Sequence, residues 1–579
     1  MKFAEYIKAI LNGLYLSLKR FPLTIMFSAS VFLTLIVISE TNPKENTLAR
    51  IAMILALGIP ISLCIKLFFE KINEKSIFKL LSVQLCGILF LIVYYFLFLN
   101  TVGMVPITRY VAVSTALYLA FLFIPYFLKK EQFEMYVINI FTGLFITIIY
   151  SIVIYSGLSA ILFTIDKLLG IKILGKIYYY TWLFVVFIFS LLYFLSGLPI
   201  SHKELSVKSY PKLLRILLLY IVMPLLTAYT IILYIYFGKI IITKQWPVGL
   251  VSHLVLWYSV IVTIVLFFIT PIKNHNTWQN NFFKIFPKII LPLIVMMFVS
   301  IGIRINAYGV TEKRYFLLIL GIWLFFIMIY LSFIKRIRNI LIPFTLSIVV
   351  LISVFGPLSS YSISKMSQNS RFENILIKNK MIKNGKIQSS SDISKEDKSE
   401  ISSILDYFNK NHNLQDVKYV PKGFKLNDMN NVLGFSFVPQ NYGSYMGYFN
   451  FITNQSEKPI DITGYDYLFD MRNLENAAAN TSISPLSASY NHETFVIKIN
   501  YKGNQIYTKN LNSFVKNLID KYGMLSKENA LSPEEMTLTE ENEKIKVKFI
   551  FLNISGNRND LNNGINAKEI NFYMLVKIK

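Results

Sequence analysis

The chain has 579 residues, 54% of them aliphatic, aromatic or cysteine, and a formal net charge of +25. Residues 1–362 hold 31 Lys and Arg against 10 Asp and Glu, while residues 363–579 hold 27 against 23. The basic excess therefore sits among apolar runs, where it marks the cytoplasmic side of a membrane protein and argues against nucleic acid as the partner. The two cysteines, Cys64 and Cys86, both lie in apolar runs, which excludes a disulfide scaffold or a thiolate metal cage in the polar part.

In chain order, residues 1–20 come first. Phe3, Tyr6, Ile7, Ile10, Leu11, Leu14 and Leu18 recur at helical spacing, with Lys2, Glu5, Lys8 and Lys19 between them. This predicts an amphipathic helix lying on the inner membrane surface. A signal peptide is not expected, because the next run is long and further spans follow. About eleven runs then reach the roughly 20 residues that a transmembrane helix needs. They cover residues 21–39, 48–69, 77–99, 108–128, 138–163, 178–199, 213–237, 249–271, 284–307, 315–334 and 340–362. With the N-terminus inside, the cytoplasmic segments carry 20 of the 31 cations and the other side 11. The bias predicts a multi-pass protein of a bacterial plasma membrane, with a cytoplasmic N-terminus and residues 363–579 outside.

From residue 363 the composition turns polar. "SISKMSQNSRFENILIKNKM" reads as a helix with a turn after it at Asn384-Gly385, and Ser394 caps a second helix. Strands are expected at "LGFSFV", "SYMGYFNFIT", "TFVIKINYKGNQIYTKNL", "KIKVKFIFLNI" and "EINFYMLVKI", and a helix at "LNSFVKNLIDKYG" ending at Gly523. The predicted class is mainly α: a helical transmembrane bundle (residues 21–362) followed by a soluble C-terminal α+β domain (residues 363–579).

Four stretches carry a resemblance: "KRFPLT" (Lys19 to Thr24), "YGVTEKRYF" (Tyr308 to Phe316), "GPLSSYSISKMSQNSRFENIL" (Gly356 to Leu376) and "ITGYDYL" (Ile462 to Leu468). In that order they resemble the bacterial polytopic membrane proteins catalogued as domain of unknown function 4153. The resemblance implies many spans followed by a polar C-terminal region, and it implies no catalytic residue.

Between the ninth and tenth runs, "RINAYGVTEKRYF" gathers charge that the rest of the apolar part avoids. Arg304, Tyr308, Glu312 and Arg314 are the candidate ligand site here: Glu312 pairs with Arg304 or Arg314, and arginine beside tyrosine suits a phosphate or carboxylate. The simpler reading is a solvated turn. Asp166 is the only aspartate before residue 363 and reads as an interfacial ion pair with Lys167. Lys66 and Glu70 share a helix face, as do His253 and Trp257; both pairs read as packing. His202, His253, His275, His412 and His492 lack partners at ligand spacing. Asp461, Asp466 and Asp470 fit no calcium loop. No cofactor or metal is expected.

The sequence thus favours a non-enzymatic envelope protein whose outer domain binds a ligand or partner, with the lipid bilayer, an envelope protein or a lipid as partner. The alternatives are a transporter or channel for lipid or uncharged solute, and a membrane enzyme acting on lipid-linked substrates at the Arg304/Glu312/Arg314 turn.

Overall fold

A computed structural model describes residues 12–43, 46–74, 76–127, 133–199, 210–244, 250–273, 277–438, 447–453, 459–472, 478–483, 485–491, 494–522, 530–559 and 564–579. Contacts divide the chain into two compact units, Met1–Val438 and Pro439–Lys579.

Among the described residues, ten helices of the first unit are long and apolar enough to cross a membrane. They are α1 (Pro22–Thr41), α2 (Thr47–Lys71), α3 (Ile77–Phe98), α4 (Met104–Tyr126), α5 (Phe133–Leu168), α6 (Gly175–Ser196), α7 (Lys212–Thr243), α8 (Ser252–Ile272), α9 (Thr277–Tyr308) and α10 (Glu312–Phe333). At ~1.5 Å per residue, 20 residues match the ~30 Å hydrocarbon core, and all backbone groups are satisfied within the helix. The 36-residue α5 exceeds that thickness and must tilt or project from it. Pro287 and Pro292 stand inside α9 without ending it.

The eleventh expected span is shorter than foreseen. α11 (Leu341–Ile352) has 12 residues, about 18 Å of helix. Its successor turns at Gly356, in the left-handed region at φ +78°, and the chain restarts as α12 (Ser360–Lys378) with Ser359 as its cap. Of the amphipathic segment, residues 1–11 lie outside the described residues and residues 12–20 are helical.

Close approach within the bundle relies on small side chains. A Cβ on Gly58 of α2 would sit 2.4–2.6 Å from the Phe27 ring of α1. One large core runs through α4 to α10, from Phe133 and Tyr136 to Leu324 and Met328.

The first unit extends past the change of composition. After α12 come a hairpin of β1 (Ile382–Lys383) and β2 (Lys386–Ile387), then α13 (Lys395–Asn411). Asn384 and Gly385 both have positive φ, as a two-residue hairpin turn requires. Ser394 caps α13 by accepting from Asp397 N at 3.1 Å. Phe372, Leu376, Ile401, Leu405, Phe408 and Leu433 close a second, smaller core. Residues 363–438 therefore belong with the helical unit, and the contact boundary falls at 438/439 rather than at 362/363. The strand expected at "LGFSFV" is absent. Met429–Leu433 is a short helix that ends at Gly434, at φ +87°, where a Cβ would lie 2.8 Å from the Ser390 backbone.

The second unit is strand-rich. One sheet has the order β4 (Tyr467–Asp470), β12 (Gly564–Ile578), β11 (Ile545–Asn559), β3 (Gly447–Thr453), β9 (Ala530–Leu531), with β10 (Thr537–Glu541) also on β11. All its pairings are antiparallel except β3 with β9. The other sheet is an antiparallel meander of β5 (Ala478–Ile483), β6 (Leu486–Asn491), β7 (Val496–Tyr501) and β8 (Asn504–Asn510). Lys502 and Gly503, both at positive φ, make the expected hairpin turn. Alternate residues of both sheets, with Val515 and Leu518 of α14 (Asn512–Tyr522), fill a common core; Tyr490 meets Phe572 edge to face at 5.3 Å.

Candidate functional site

α9 ends at Tyr308 and α10 begins at Glu312, so three residues reverse the chain. Gly309 makes this possible: its φ is +68°, and a Cβ there would lie 2.5 Å from Arg371 Cδ and 2.9 Å from Gln368 Nε2. Those atoms belong to α12, which clamps the turn. Ser367 Oγ accepts from Val310 N at 2.9 Å, Gln368 Nε2 donates to the carbonyls of Tyr308 and Val310, and Arg371 donates to Tyr308 O at 2.7 Å. Arg314 reaches back to the carbonyls of Gly309 (2.8 Å) and Tyr308 (3.2 Å), with its guanidinium 5.4 Å above the Tyr308 ring. The stretches "YGVTEKRYF" and "SYSISKMSQNSRF" thus form one junction.

Glu312 takes neither of the partners expected for it. Its side chain is only 4% exposed, and Oε1 accepts from the Tyr407 hydroxyl at 2.6 Å and lies 2.6 Å from His412 Nε2. Tyr407 and His412 are themselves 2.9 Å apart. Burial, followed by the facing carboxylate, pushes the Tyr407 phenol well above its ordinary value, so it remains a donor. Both partners come from the end of α13, and the His412 ring also meets Tyr361 of α12 edge to face at 6.3 Å. Nothing in local spacing marks His412, which stands 100 residues from Glu312.

The cations are left on the other side of the turn. Arg304, Lys313 and Arg314 line a cavity of about 200 Å³ with His253, Ser252 and Thr311. Ile301 and Leu317 form its apolar wall, and no carboxylate is among its lining residues. Thr311 is the N-cap residue of α10 and its side chain makes no cap bond, while the first turn of the helix carries the Glu312 carboxylate. Arg304, the Lys313 ammonium and the remaining donors of Arg314 together suit an oxyanion, while Ser252 Oγ donates to Ser300 Oγ at 3.2 Å. Of the four candidate residues, Arg304 and Arg314 line the cavity, Tyr308 lies against Arg314 but is not among the lining residues, and Glu312 turns away. Lys313, Ser252, His253 and Thr311 were not foreseen as members, although Lys313 lies within the charged stretch itself.

The remaining candidates have structural partners. Glu70 receives Arg20 in a fork (Nε 3.0 Å, NH2 2.8 Å), with Lys66 at 3.9 Å, and Arg20 also donates to Leu198 O. Asp166 pairs with Lys167 at 3.2 Å and accepts from Ile173 N. Asp461 accepts from Thr463 N, Asp466 from Ile578 N, and Asp470 pairs with Arg472, so the three aspartates do not converge. His202, His275 and His492 lie outside the described residues.

A family model described as domain of unknown function (DUF4153) matches residues 24–390. That range contains the turn, α12 and the cavity, and it leaves out "ITGYDYL" and all of "KRFPLT" except Thr24. "Uncharacterized protein PM1469" of Pasteurella multocida (strain Pm70) is 25% identical over 259 residues, 44% of this chain and 44% of that protein, so the match spans under half the length of the relative. No solved structure matches.

Proposed function

The chain belongs to the family described as domain of unknown function (DUF4153), and from that premise we propose that it is a non-enzymatic multi-pass protein of a bacterial plasma membrane that binds an anionic group, a phosphate or a carboxylate, at the head of α10. In this reading the N-terminus is cytoplasmic, and the α9–α10 turn and the strand-rich unit are extracytoplasmic. The observation that carries it is the cavity of Arg304, Lys313, Arg314 and His253, with no acid among its lining residues. Cations gathered at one place repel each other, and an anion relieves that repulsion.

Binding is favoured over lipid-linked catalysis because Glu312, the one acid that could act as a base, is engaged by Tyr407 and His412 and is not among the cavity's lining residues. The transport reading has less support. A cavity of about 420 Å³ lies beside a π-helical stretch at Val185–Ser190, but its Thr147, Ser151 and Ser190 hydroxyls donate to carbonyls of their own helices.

The test is thermal stabilisation of the purified full chain by inorganic phosphate, against chloride at equal ionic strength. A ligand at 100 times its Kd adds about 2.7 kcal/mol. Phosphate should raise the melting temperature, and Arg304→Ala or Lys313→Ala should remove the rise. Equal melting in both salts overturns the reading. Sidedness is tested separately: with Cys64 and Cys86 replaced by Ala, a Lys502→Cys variant should react with an impermeant thiol reagent in intact cells, and reaction only after lysis reverses the orientation.

A further inference from the structure

We propose that the anion is the headgroup of a lipid, and that one acyl chain of the same molecule lies in a separate apolar groove further along the same faces of α8 and α10. This rests on the reading of the cavity as an anion site and names its ligand class.

The groove has a volume of about 440 Å³ and an almost wholly apolar lining. Its floor on α8 is Trp257, Val260, Ile264 and Phe268. On α10 it is Leu320 and Trp323. Pro343 and Leu346 of α11 and Val137 and Phe141 of α5 form the side walls.

The two cavities share the same two helix faces. His253 lines the cationic cavity, and Trp257, Val260, Ile264 and Phe268 follow it at intervals of four, three, four and four, the spacing of a single helical face. On α10, Lys313 and Leu317 line the cationic cavity, and Leu320 opens the groove less than one turn further on. The path is thus charged at the span ends and apolar inward from them. From His253 to Ile264 it runs eleven residues, about 16 Å at 1.5 Å per residue, and on to Phe268 fifteen residues, about 22 Å. One leaflet is about half of a 30 Å core. The headgroup and the outer part of the groove, as far as Ile264, therefore fall within one leaflet, and the inner part at Phe268 reaches beyond it. Trp257 (59% exposed) and Ile264 (49%) lie open on the groove's bilayer side, so a lipid reaches it laterally without a conformational change.

The division of labour follows from the solvent. An acyl chain gains little by leaving other chains for a protein groove, because both surroundings are apolar. Affinity must come from the headgroup, where Arg304, Lys313 and Arg314 meet the phosphate. The groove then decides that the anion is carried by an amphiphile rather than free in solution.

The experiment is native mass spectrometry of the purified full chain with dioleoyl phosphatidylglycerol, dioleoyl phosphatidylcholine and soluble glycerol 3-phosphate as separate probes. The wild type should retain one phosphatidylglycerol, with a preference of about tenfold or more over phosphatidylcholine. Arg304→Ala should lose both phosphatidylglycerol and glycerol 3-phosphate. Ile264→Trp should fill the groove and lose phosphatidylglycerol while keeping glycerol 3-phosphate. Val260→Phe is the second groove variant, and monodispersity on size exclusion selects the variants that are folded. Phosphatidylglycerol binding that survives in a folded groove variant and vanishes in Arg304→Ala overturns the chain assignment and leaves the anion site standing. Glycerol 3-phosphate binding without any lipid preference does the same. Failure of every anionic probe in the wild type overturns both readings.

Discussion

Two acids stand at opposite ends of the helical unit, and they are compensated differently. Arg50 Nε donates to Leu99 O, which puts the start of α2 beside the end of α3. Arg109, at the start of α4, lies over Phe355 and Tyr361, next to His412. The start of α2 therefore shares an end with Glu312, and Glu70, at the finish of α2, is at the other. Glu70 takes the cations nearest to it, Arg20 and Lys66, and that node is closed. Glu312 has Lys313 and Arg314 as neighbours in sequence, yet its carboxylate goes to a phenol and an imidazole. The cations it leaves behind line a cavity. A charged stretch on a membrane protein thus separates into a node that holds the fold and a cluster that lines a cavity. Which residue joins which is decided by the direction of side chains from a helix start, not by proximity in the chain.

The largest expected effect tests the holding role of Glu312. Removing one partner of a buried charged cluster costs about 3–5 kcal/mol. Glu312→Ala or His412→Ala should therefore lower the melting temperature strongly, whereas Arg304→Ala should leave it nearly unchanged and affect anion binding alone. If Glu312→Ala melts like the wild type, the distinction between node and cluster is lost. Gly309→Ala comes next. It forces a side chain into a left-handed conformation and against Arg371, at a cost of about 1–3 kcal/mol. Because Gly309 O also accepts from Arg314, this variant should weaken phosphate binding as well as stability, and two separate assays check it. At the closed end, Glu70→Gln should cost about 1 kcal/mol, since the pair is partly exposed, and should not alter phosphate binding. A change in phosphate affinity in Glu70→Gln would mean that the two ends are coupled.

Much of this architecture was readable from residues, and what was not has a physical reason. Apolar length located the ten long helices, because a bilayer tolerates little else. Asn384-Gly385, Ser394 and Lys502-Gly503 announced their turns and cap through backbone preferences that act locally. Gly434 misled: "GFSFV" alternates like a strand, but the glycine's positive φ and its contact with Ser390 belong to a helix end. Charge composition placed a domain boundary at residue 363, although α12 and α13 form a polar extension of the helical unit. Arg304 and Arg314, two of the four residues singled out because charge beside apolar runs is rare, line one cavity. The Glu312 partners were not singled out, because a contact between residues 312 and 412 leaves no period or spacing in the sequence.

The smallest effect concerns the joint that holds α13, and with it His412, against α12. Asp397 near the start of α13 is nearly buried and accepts from Lys378 Nζ and Asn379 Nδ2, both at 2.9 Å. Burial alone would raise its carboxyl, but these hydrogen bonds from Asn379 and Lys378 outweigh it and hold the group below its ordinary 3.8. A carboxyl lowered in the folded state stabilises fully above its unfolded value, and the contribution is lost as pH falls through the folded value. The α12–α13 joint should therefore be indifferent to pH from neutrality down to about 4 and loosen below it, read as faster backbone hydrogen exchange in α13. Asp397→Asn cannot titrate and should show the looser joint at every pH, so the two proteins converge in acid. If their difference persisted unchanged at the acid end, the charge of Asp397 would not be what holds α13, and the support for His412 would have to come from the Phe372, Leu405 and Phe408 core alone.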